Sequence, residues 1–246
     1  MGLVNLILPM AGNAARLPEE TIKERPKQLI PLPYEQSPLG LAIRPFYRAY
    51  DDDVKIGCII PSGTDQRNKW GNCFINSLPS FPMVLQNIPD GAFGAVYRYF
   101  RDLPQLLVYP TYVVYPDTIA DINHITILNM SQAHGKWMTL SPKMWEGGDR
   151  ANVSGYAISG IEKEQNASGY SPSGLLYFHN TIELFGILSA LMIVKKEINL
   201  IDVVNKYCSF TQIVGCFIDH AIDCGDSIGY SEAKQLGIDT QGRYYG

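Results

Sequence analysis

Residues 6–32 read LILPMAGNAARLPEETIKERPKQLIPL, an apolar run followed by a loop of small residues, an arginine and a closing proline–lysine pair. Residues 4–9 are largely apolar, which is typical of a parallel strand buried on both faces. A glycine-containing loop that leads from a strand into a helix offers unpaired backbone N–H groups to an anion. The stretch therefore predicts an anion-binding turn after the first strand, with Arg16 and Lys27 within reach of the bound group.

Two well-known phosphate-binding patterns do not occur in this sequence. It contains neither the GxxxxGK[ST] pattern of P-loop proteins nor the GxGxxG pattern of dinucleotide-binding proteins. The sequence therefore disfavours both a P-loop protein and a dinucleotide-binding protein of that type. A turn that merely packs a strand tightly against a helix is the alternative to a phosphate site.

The composition predicts an ordinary folded chain. The 246 residues are 46% hydrophobic and 18% charged, with a formal net charge of -4. No long basic run offsets that charge, so we expect neither nucleic acid nor a membrane as a partner. A few positioned cations can still bind a polyphosphate. The five cysteines are odd in number and form no CxxC pair, which is typical of reduced thiols in a cytoplasmic protein.

Strand and helix patterns alternate along the first part of the chain. This alternation predicts an α/β fold with a doubly wound, mostly parallel sheet, in which ligands bind beyond the carboxyl ends of the strands. The predicted strands are residues 4–9, 54–61, 81–86, 111–115 and 137–140, and the predicted helices are residues 39–49, 94–101 and 122–134.

After residue 147 the pattern becomes that of a small antiparallel elaboration on the substrate side. We expect a single domain over residues 1–246, with a first half over residues 1–146 and a second half over residues 147–246. In the second half the predicted strands are residues 156–161 and 174–179 with strand pieces within 210–222, and the predicted helices are residues 181–194 and 200–207.

The loop sequence MAGNAAR, followed by Pro26 and Lys27, resembles the A-G-x-G-[TS]-R and P-K signature of the sugar-1-phosphate nucleotidyltransferases. The form Q-x-x-P-D-G at residues 86–91 is most similar to that of glucose-1-phosphate thymidylyltransferases. The family implies a Rossmann-like nucleotidyltransferase fold, in which residues 1–146 are the nucleotide-binding half and residues 147–246 the sugar-phosphate-binding half. Further segments resemble the family in its order: LQNIPDGAFGAV (85–96), VVYPDTIAD (113–121), AISGIEKE (157–164), GLLYF (174–178), KKEINLIDVVNKY (195–207) and AIDCGDSIGYSEA (221–233).

The resemblance implies that a nucleoside triphosphate, with dTTP or UTP favoured, reacts with a sugar-1-phosphate to give a nucleotide sugar and pyrophosphate. Mg²⁺ is the implied cofactor, held by Asp117 and Asp223. Catalysis would use these two acids with Arg16, Lys27 and Lys163. The remaining implied contacts are Ala11, Gly12, Asn13, Gln86 and Gly91 for the nucleotide, and Gly147, Glu162, Gly174 and Glu197 for the sugar.

Two other functions stay open on the sequence. One is a cytidylyl- or guanylyltransferase that acts on another phosphorylated small molecule. The other is a catalytically degenerate regulatory homologue, suggested by Ala14, Ala15 and Asp226, which depart from the family pattern; Pro116 is a further departure. A homo-oligomer is possible, because the apolar helix predicted at residues 181–194 can pack inward or against a second copy.

Overall fold

The computed structural model describes residues 2–11, 17, 22–23, 25–32, 36–78, 81–86, 90–142, 148–163, 169–235, 237–238 and 244–245. Its largest feature is a nine-stranded sheet with the order β3-β2-β1-β4-β9-β6-β10-β8-β7. The strands of this sheet are β1 (Val4–Pro9), β2 (Val54–Pro61), β3 (Met83–Gln86), β4 (Thr111–Val114), β6 (Lys136–Ser141), β7 (Asp149–Ser154), β8 (Ala157–Lys163), β9 (Ser171–Phe178) and β10 (Ile213–Phe217).

Four short strands lie outside this sheet. Strand β5 (Thr118–Ala120) pairs with β11 (Ala221–Asp223), and β12 (Gly237–Ile238) pairs with β13 (Tyr244–Tyr245). Both pairs are antiparallel. The first pair positions the site described below.

The large sheet is mostly parallel, as the sequence predicts. Strands β1 to β4, β6, β7 and β10 point one way, and only β8 and β9 run against them. The β7–β8 hairpin at one edge is the antiparallel elaboration. Strand β9 departs from the expectation of a separate antiparallel region, because it lies inside the sheet between β4 and β6. One sheet thus takes strands from both predicted halves, and the division at residue 146 stays a prediction.

Seven α-helices are found in the described part of the chain. The predicted helix at residues 181–194 has the bounds given by its sequence pattern, whereas the helix over residues 65–77 was not predicted. That helix is polar on most of its surface and buries only Trp70, Gly71 and Phe74. The helices are α1 (Pro38–Tyr50), α2 (Asp65–Ser77), α3 (Gly91–Asp102), α4 (His124–Ala133), α5 (Thr181–Val194), α6 (Leu200–Cys208) and α7 (Ser227–Gln235).

Apolar clusters cover both faces of the sheet, and β1 contributes to each. Ile7 packs in the cluster that contains residues of α3, α5 and α6. Leu6 and Leu8 point the other way, into the cluster that contains residues of α1 and α4. Because successive side chains of a strand alternate between faces, a strand that is apolar throughout must be covered on both sides.

Helix α5 has a buried side and an exposed side. Leu184 and Leu188 are buried, whereas Ile182, Ile193 and Val194 are exposed. Whether that exposed side faces a second copy stays a prediction. No helix in the described ranges is both long enough and apolar enough to cross a bilayer.

Candidate active site

A tight turn after β4 places Asp117 beyond the carboxyl end of the sheet. The Thr118 N–H donates to the carbonyl of Tyr115 at 3.0 Å, which closes a four-residue β-turn, and the Tyr115 N–H donates to the Gly174 carbonyl at 2.7 Å. Pro116 is the second residue of this turn, the position that proline favours. Its departure from the family pattern therefore fits the local structure.

The β5–β11 pair brings together two acids that lie far apart in the sequence. Asp223 is opposite Thr118 in the register of the pair. The Cys224 N–H donates to the Asp117 carbonyl at 2.7 Å, and the Gly225 N–H donates to Asp223 Oδ1 at 2.7 Å. Both carboxylates therefore lie at the same end of one small sheet.

Lys27 forms an ion pair with Asp117. It begins the short 3₁₀ helix Lys27–Leu29, which follows directly after Pro26. The side chains of the pair are only 11% and 14% exposed, so water screens their attraction less than on the surface. The predicted cation and the predicted metal ligand are thus in direct contact.

Asp226, another departure from the family pattern, caps a helix. Its Oδ1 accepts a hydrogen bond of 2.8 Å from the Gly229 N–H at the start of α7. An aspartate at this position satisfies an otherwise unpaired helix N–H and interacts favourably with the helix dipole. Nearby, burial first and then the Asp117 and Asp223 carboxylates raise the pKa of the Cys224 thiol, which keeps that thiol neutral between the acids.

A cavity of about 380 Å³, the smaller cavity, opens beyond the ends of β1 and β3. A cavity of about 930 Å³, the larger cavity, lies beside it towards β7 and β8. Ala92, Tyr115, Asp117, Glu197 and Asn199 line both, so the two cavities meet at Asp117. The predicted site residues that line the smaller cavity are Ala11, Lys27, Gln86, Gly91, Asp117 and Glu197, and those that line the larger one are Asp117, Lys163, Gly174, Glu197 and Asp223.

Arg67 of α2 braces the wall of the smaller cavity. Its guanidinium donates to the carbonyls of Ala11 at 3.0 Å, Ser62 at 2.9 Å and Gln86 at 2.8 Å. These carbonyls follow or end β1, β2 and β3, so one side chain holds the ends of three strands. Burial lowers the pKa of Arg67.

Asp90 fixes the orientation of the Gln86 side chain. The buried Asp90 carboxylate accepts hydrogen bonds from Gln86 Nε2 and from Arg98 Nε. An ionised carboxylate can only accept, so the amide nitrogen of Gln86 must face Asp90. Gln86 Oε1 is therefore the atom left to accept a hydrogen bond from another group.

Gly91 allows the start of α3 to contact the segment that carries Glu197. Its φ is +79°, and a Cβ atom there would lie 2.4 Å from the Ile198 carbonyl oxygen. The Phe93 N–H donates to that oxygen at 3.0 Å, and the Ile198 N–H donates to the Asp90 carbonyl at 2.9 Å. Only glycine satisfies both the backbone conformation and the contact.

Gly174 likewise permits a close contact at the wall of the larger cavity. Its φ is +81°, and a Cβ atom there would lie 2.8 Å from Thr118 Cβ. The close approach of β9 to the turn around Asp117 therefore depends on glycine at this position. Tyr115 fills the junction of the cavities, where burial first, then Asp117 and Asp149, raise the pKa of its phenol.

The structure does not bring Glu162 to the cavities. Glu162 is exposed, and its Oε1 accepts a hydrogen bond of 2.8 Å from Asn152 Nδ2. Since neighbouring residues of a strand point to opposite faces, Lys163 lines the larger cavity and Glu162 faces away from it. The other predicted site residues, Arg16, Gly12, Asn13 and Gly147, lie outside the described residues.

Four residues of the site were not predicted from the sequence: Arg67, Asp90, Tyr115 and Asp149. Asp90 and Tyr115 lie within the quoted segments, Asp90 beside Gly91 and Tyr115 two residues before Asp117. Arg67 lies on the helix that was missed, and Asp149 lies on a strand that was missed. A single charged residue within a strand or a helix forms no motif in the sequence. Arg67 and Asp149 could therefore be assigned to the site only from the fold.

No protein-family model matches the sequence, and no curated protein matches it. Solved structures do. A nucleoside-diphosphate-sugar pyrophosphorylase from Vibrio cholerae RC9 superimposes with a TM-score of 0.75 at 14% identity, over 94% of this chain and 99% of that one. A Bacillus anthracis protein described as a glucose-1-phosphate thymidylyltransferase gives 0.72 at 18% identity, over 95% and 94%.

A UDP-glucose pyrophosphorylase solved with UDP-glucose gives a TM-score of 0.70 at 19% identity, over 96% of this chain and 98% of that one. The chain has the fold of these structures. The expected Rossmann-like nucleotidyltransferase fold is confirmed, and it extends over nearly the full length of each structure compared. Identities of 14–19% establish the fold alone, so the activity has to be argued from the site.

Proposed function

We propose that the chain is a sugar-1-phosphate nucleotidyltransferase, which transfers the nucleotidyl group of a nucleoside triphosphate to a sugar-1-phosphate and releases pyrophosphate. The observation that carries this proposal is the meeting of two cavities at Asp117, beside Lys27 and Asp223. Cavities of about 380 and 930 Å³ have the size of small-molecule sites. The smaller would hold the nucleotide and the larger the sugar phosphate.

The reaction needs no protein nucleophile. An oxygen of the sugar phosphate attacks the α-phosphorus, and pyrophosphate leaves from the opposite side. Lys27 would neutralise the α-phosphate from the smaller cavity, and Lys163 would hold the sugar phosphate from the larger cavity. Two cavities with a common wall hold the reactants side by side, and such positioning, with charge neutralisation, supplies most of the acceleration in phosphoryl-type transfer.

Asp117 and Asp223 are the residues that would hold Mg²⁺. They fit this ion because β5 and β11 bring two hard carboxylates to one place, and Mg²⁺ is usually bound by one or two carboxylates together with substrate phosphates. Among the described residues, no group of three or more His, Cys, Asp or Glu side chains is arranged around a metal position. Bound Mg²⁺ would neutralise phosphate oxygens, and Lys27 balances the charge of Asp117 in the free chain.

The wall of the smaller cavity supports dTTP or UTP as the nucleotide. Gln86 Oε1 is held as an acceptor by Asp90, and Gly91 presents its backbone at the start of α3. An acceptor beside a backbone donor complements the imide edge of thymine or uracil, which offers an N–H and a carbonyl oxygen. Arg98 is paired with Asp90 and holds the carboxylate in place beside the Gln86 amide.

The lining of the cavities also supports the proposed halves. Residues 9–117 supply most of the smaller cavity, and residues 148–223 supply most of the larger one. Glu197 and Asn199 reach the smaller cavity from the second half, and residues of the first half reach the larger cavity, namely Ala92, Tyr115, Asp117 and Thr118. Arg16 and Gly147 keep their proposed places on the resemblance alone.

A screen of pyrophosphate release tests the proposal. The purified chain would be incubated with Mg²⁺, each of dTTP, UTP, CTP, GTP and ATP, and each of glucose-, galactose- and mannose-1-phosphate. We expect turnover with dTTP or UTP and at least one sugar-1-phosphate. A preference for CTP or GTP would overturn the base assignment only, whereas no release with any pair would overturn the proposed reaction.

A further inference from the structure

We propose that Asp149, rather than Glu162, accepts hydrogen bonds from the sugar hydroxyls in the larger cavity beside Glu197, and that Asp149 determines which sugar is bound. This inference rests on the proposed function, because it concerns the acceptor substrate of that reaction. It assigns to Asp149 the sugar contact that the resemblance implies for Glu162.

The register of the β7–β8 hairpin places Asp149 on the cavity side. Asp149 is directly opposite Lys163, and Arg150 is opposite Glu162. Residues that face each other across two antiparallel strands point to the same side, and the next pair points to the other. Asp149 and Lys163 therefore line the larger cavity together, while Glu162 accepts its hydrogen bond from Asn152 on the opposite face.

Most of the other acids around the larger cavity already have partners. Asp117 is paired with Lys27. Asp202 caps α6 by accepting from the Asn199 N–H at 2.9 Å and is also paired with Lys195. Within the described ranges, no group donates a hydrogen bond to the carboxylate of Asp149, so this acid is available to a ligand.

The surroundings of Asp149 make hydroxyl donors favourable ligands. The side chain is half-buried, and burial raises its pKa although Lys163 and Arg150 act in the opposite direction. Asp202 also raises it. A carboxylate that has lost part of its hydration without gaining donors is stabilised by any O–H group that points at it.

The negative charge of Asp149 determines which end of a sugar-1-phosphate can lie beside it. A carboxylate repels a phosphate, so the phosphate of a sugar-1-phosphate would lie towards Lys163 and the junction at Asp117. The hydroxyl groups of the ring would then face Asp149. Two oxygens of one carboxylate can accept from two adjacent hydroxyls, which selects hexose-1-phosphates with a free neighbouring pair.

The test compares Asp149→Asn with Glu162→Gln, two isosteric changes on neighbouring strands. We expect Asp149→Asn to raise KM for the preferred sugar-1-phosphate about tenfold or more, as for loss of a hydrogen bond to a charged group, with KM for the triphosphate unchanged. Glu162→Gln should change neither. The opposite pattern, or an equal rise in both KM values for Asp149→Asn, would overturn the inference.

Deoxy analogues locate the contact. With 2-, 3-, 4- or 6-deoxy forms of the preferred sugar-1-phosphate, the wild-type chain should lose affinity for one or two analogues, and Asp149→Asn should cause no further loss with those. If Asp149→Asn lowered the affinity for every analogue as much as it lowers the affinity for the full sugar-1-phosphate, Asp149 would not contact a ring hydroxyl.

Direct binding separates this inference from the proposed reaction. If the wild-type chain releases no pyrophosphate, binding of glucose-, galactose- and mannose-1-phosphate would be followed by saturation-transfer NMR. Binding that Asp149→Asn weakens and Glu162→Gln does not would support the role of Asp149 even though the reaction had failed. Equal binding by all three proteins, or no binding by the wild-type chain, would overturn it.

Discussion

The two cavities differ in the groups that form their walls. The smaller one is shaped by backbone at the ends of β1 and β3 and the start of α3, and it is held by Arg67 and Asp90 from behind. The larger one is lined by charged side chains, among them Asp149, Lys163 and Lys195. A backbone wall fixes one ligand shape, whereas a wall of side chains can be changed by single substitutions. Single substitutions are therefore expected to alter the larger cavity more readily than the smaller one.

The largest expected effect is at the junction that both cavities share. Asp117→Asn removes the charge that pairs with Lys27 and the carboxylate proposed to hold Mg²⁺. We expect pyrophosphate release to fall by about 10²–10³-fold while the fold is kept. Turnover and circular dichroism would be measured together.

Asp226→Asn is the matched control for that change. It lies close by, and an amide oxygen can still cap α7, so its activity should stay near that of the wild-type chain. Equal turnover in the wild-type chain and Asp117→Asn would remove Asp117 from the site.

A smaller effect is expected at the smaller cavity alone, which is proposed to hold the nucleotide. Arg67→Lys keeps the charge but cannot hold three carbonyls with one planar fork. We expect a loss of stability of about 1–3 kcal/mol and a rise in KM for the triphosphate, with KM for the sugar phosphate little changed. Urea unfolding and steady-state kinetics measure the two.

Lys69→Ala, on the same helix, is the control for Arg67. Lys69 donates to the Lys23 carbonyl on the exposed surface, away from the cavity. A rise in KM for the sugar phosphate as large as that for the triphosphate in Arg67→Lys would contradict the separation between the two sides.

The smallest effect concerns the stability of the sugar side. The pKa of Asp149 is raised above its ordinary value of 3.8, chiefly by burial, so the fold disfavours the charged form. Stability is therefore lost as the pH rises through 3.8 towards the raised pKa, and the loss is complete above it. Asp149→Asn should raise the melting temperature at pH 7 by about 1–2 °C.

That gain has a defined pH dependence. It should shrink as the pH falls towards 3.8, because the wild-type carboxyl then takes up a proton. Lys163, Arg150 and Asp202 are the charged residues that influence the pKa of Asp149, and all stay in both proteins. A melting temperature that is lower for Asp149→Asn at pH 7 would show that Asp149 stabilises the fold instead.

The sequence predicted the elements with strong apolar patterns. Strand β1 and helix α5 have the expected bounds because each must bury apolar side chains. Helix α2 and strand β7 were missed, since most of their residues are polar or only partly buried. The position of β9 between β4 and β6 could not be predicted, because strand order depends on contacts between distant segments.

The candidate site likewise contains some residues that the sequence identified and others that it did not. Lys27, Asp117 and Asp223 were found through short motifs, and the fold brings them together although 196 positions separate the first from the last by number. Glu162 and Asp149 could not be told apart from sequence. Their side chains lie on opposite faces of the β7–β8 hairpin. Because the register is irregular between Asn152 and Val153, counting alternate residues along the strands does not show which face each side chain occupies.

The link between Ile198 and the start of α3 consists of two hydrogen bonds between main-chain groups. Main-chain groups are the same whatever side chains the residues carry, so most substitutions around Ile198 leave both bonds intact. Glu197 and Asn199 flank this link and extend into both compartments. Apart from Gly91, where only glycine fits, the residues that line the two compartments can therefore change without loss of the link that aligns the compartments.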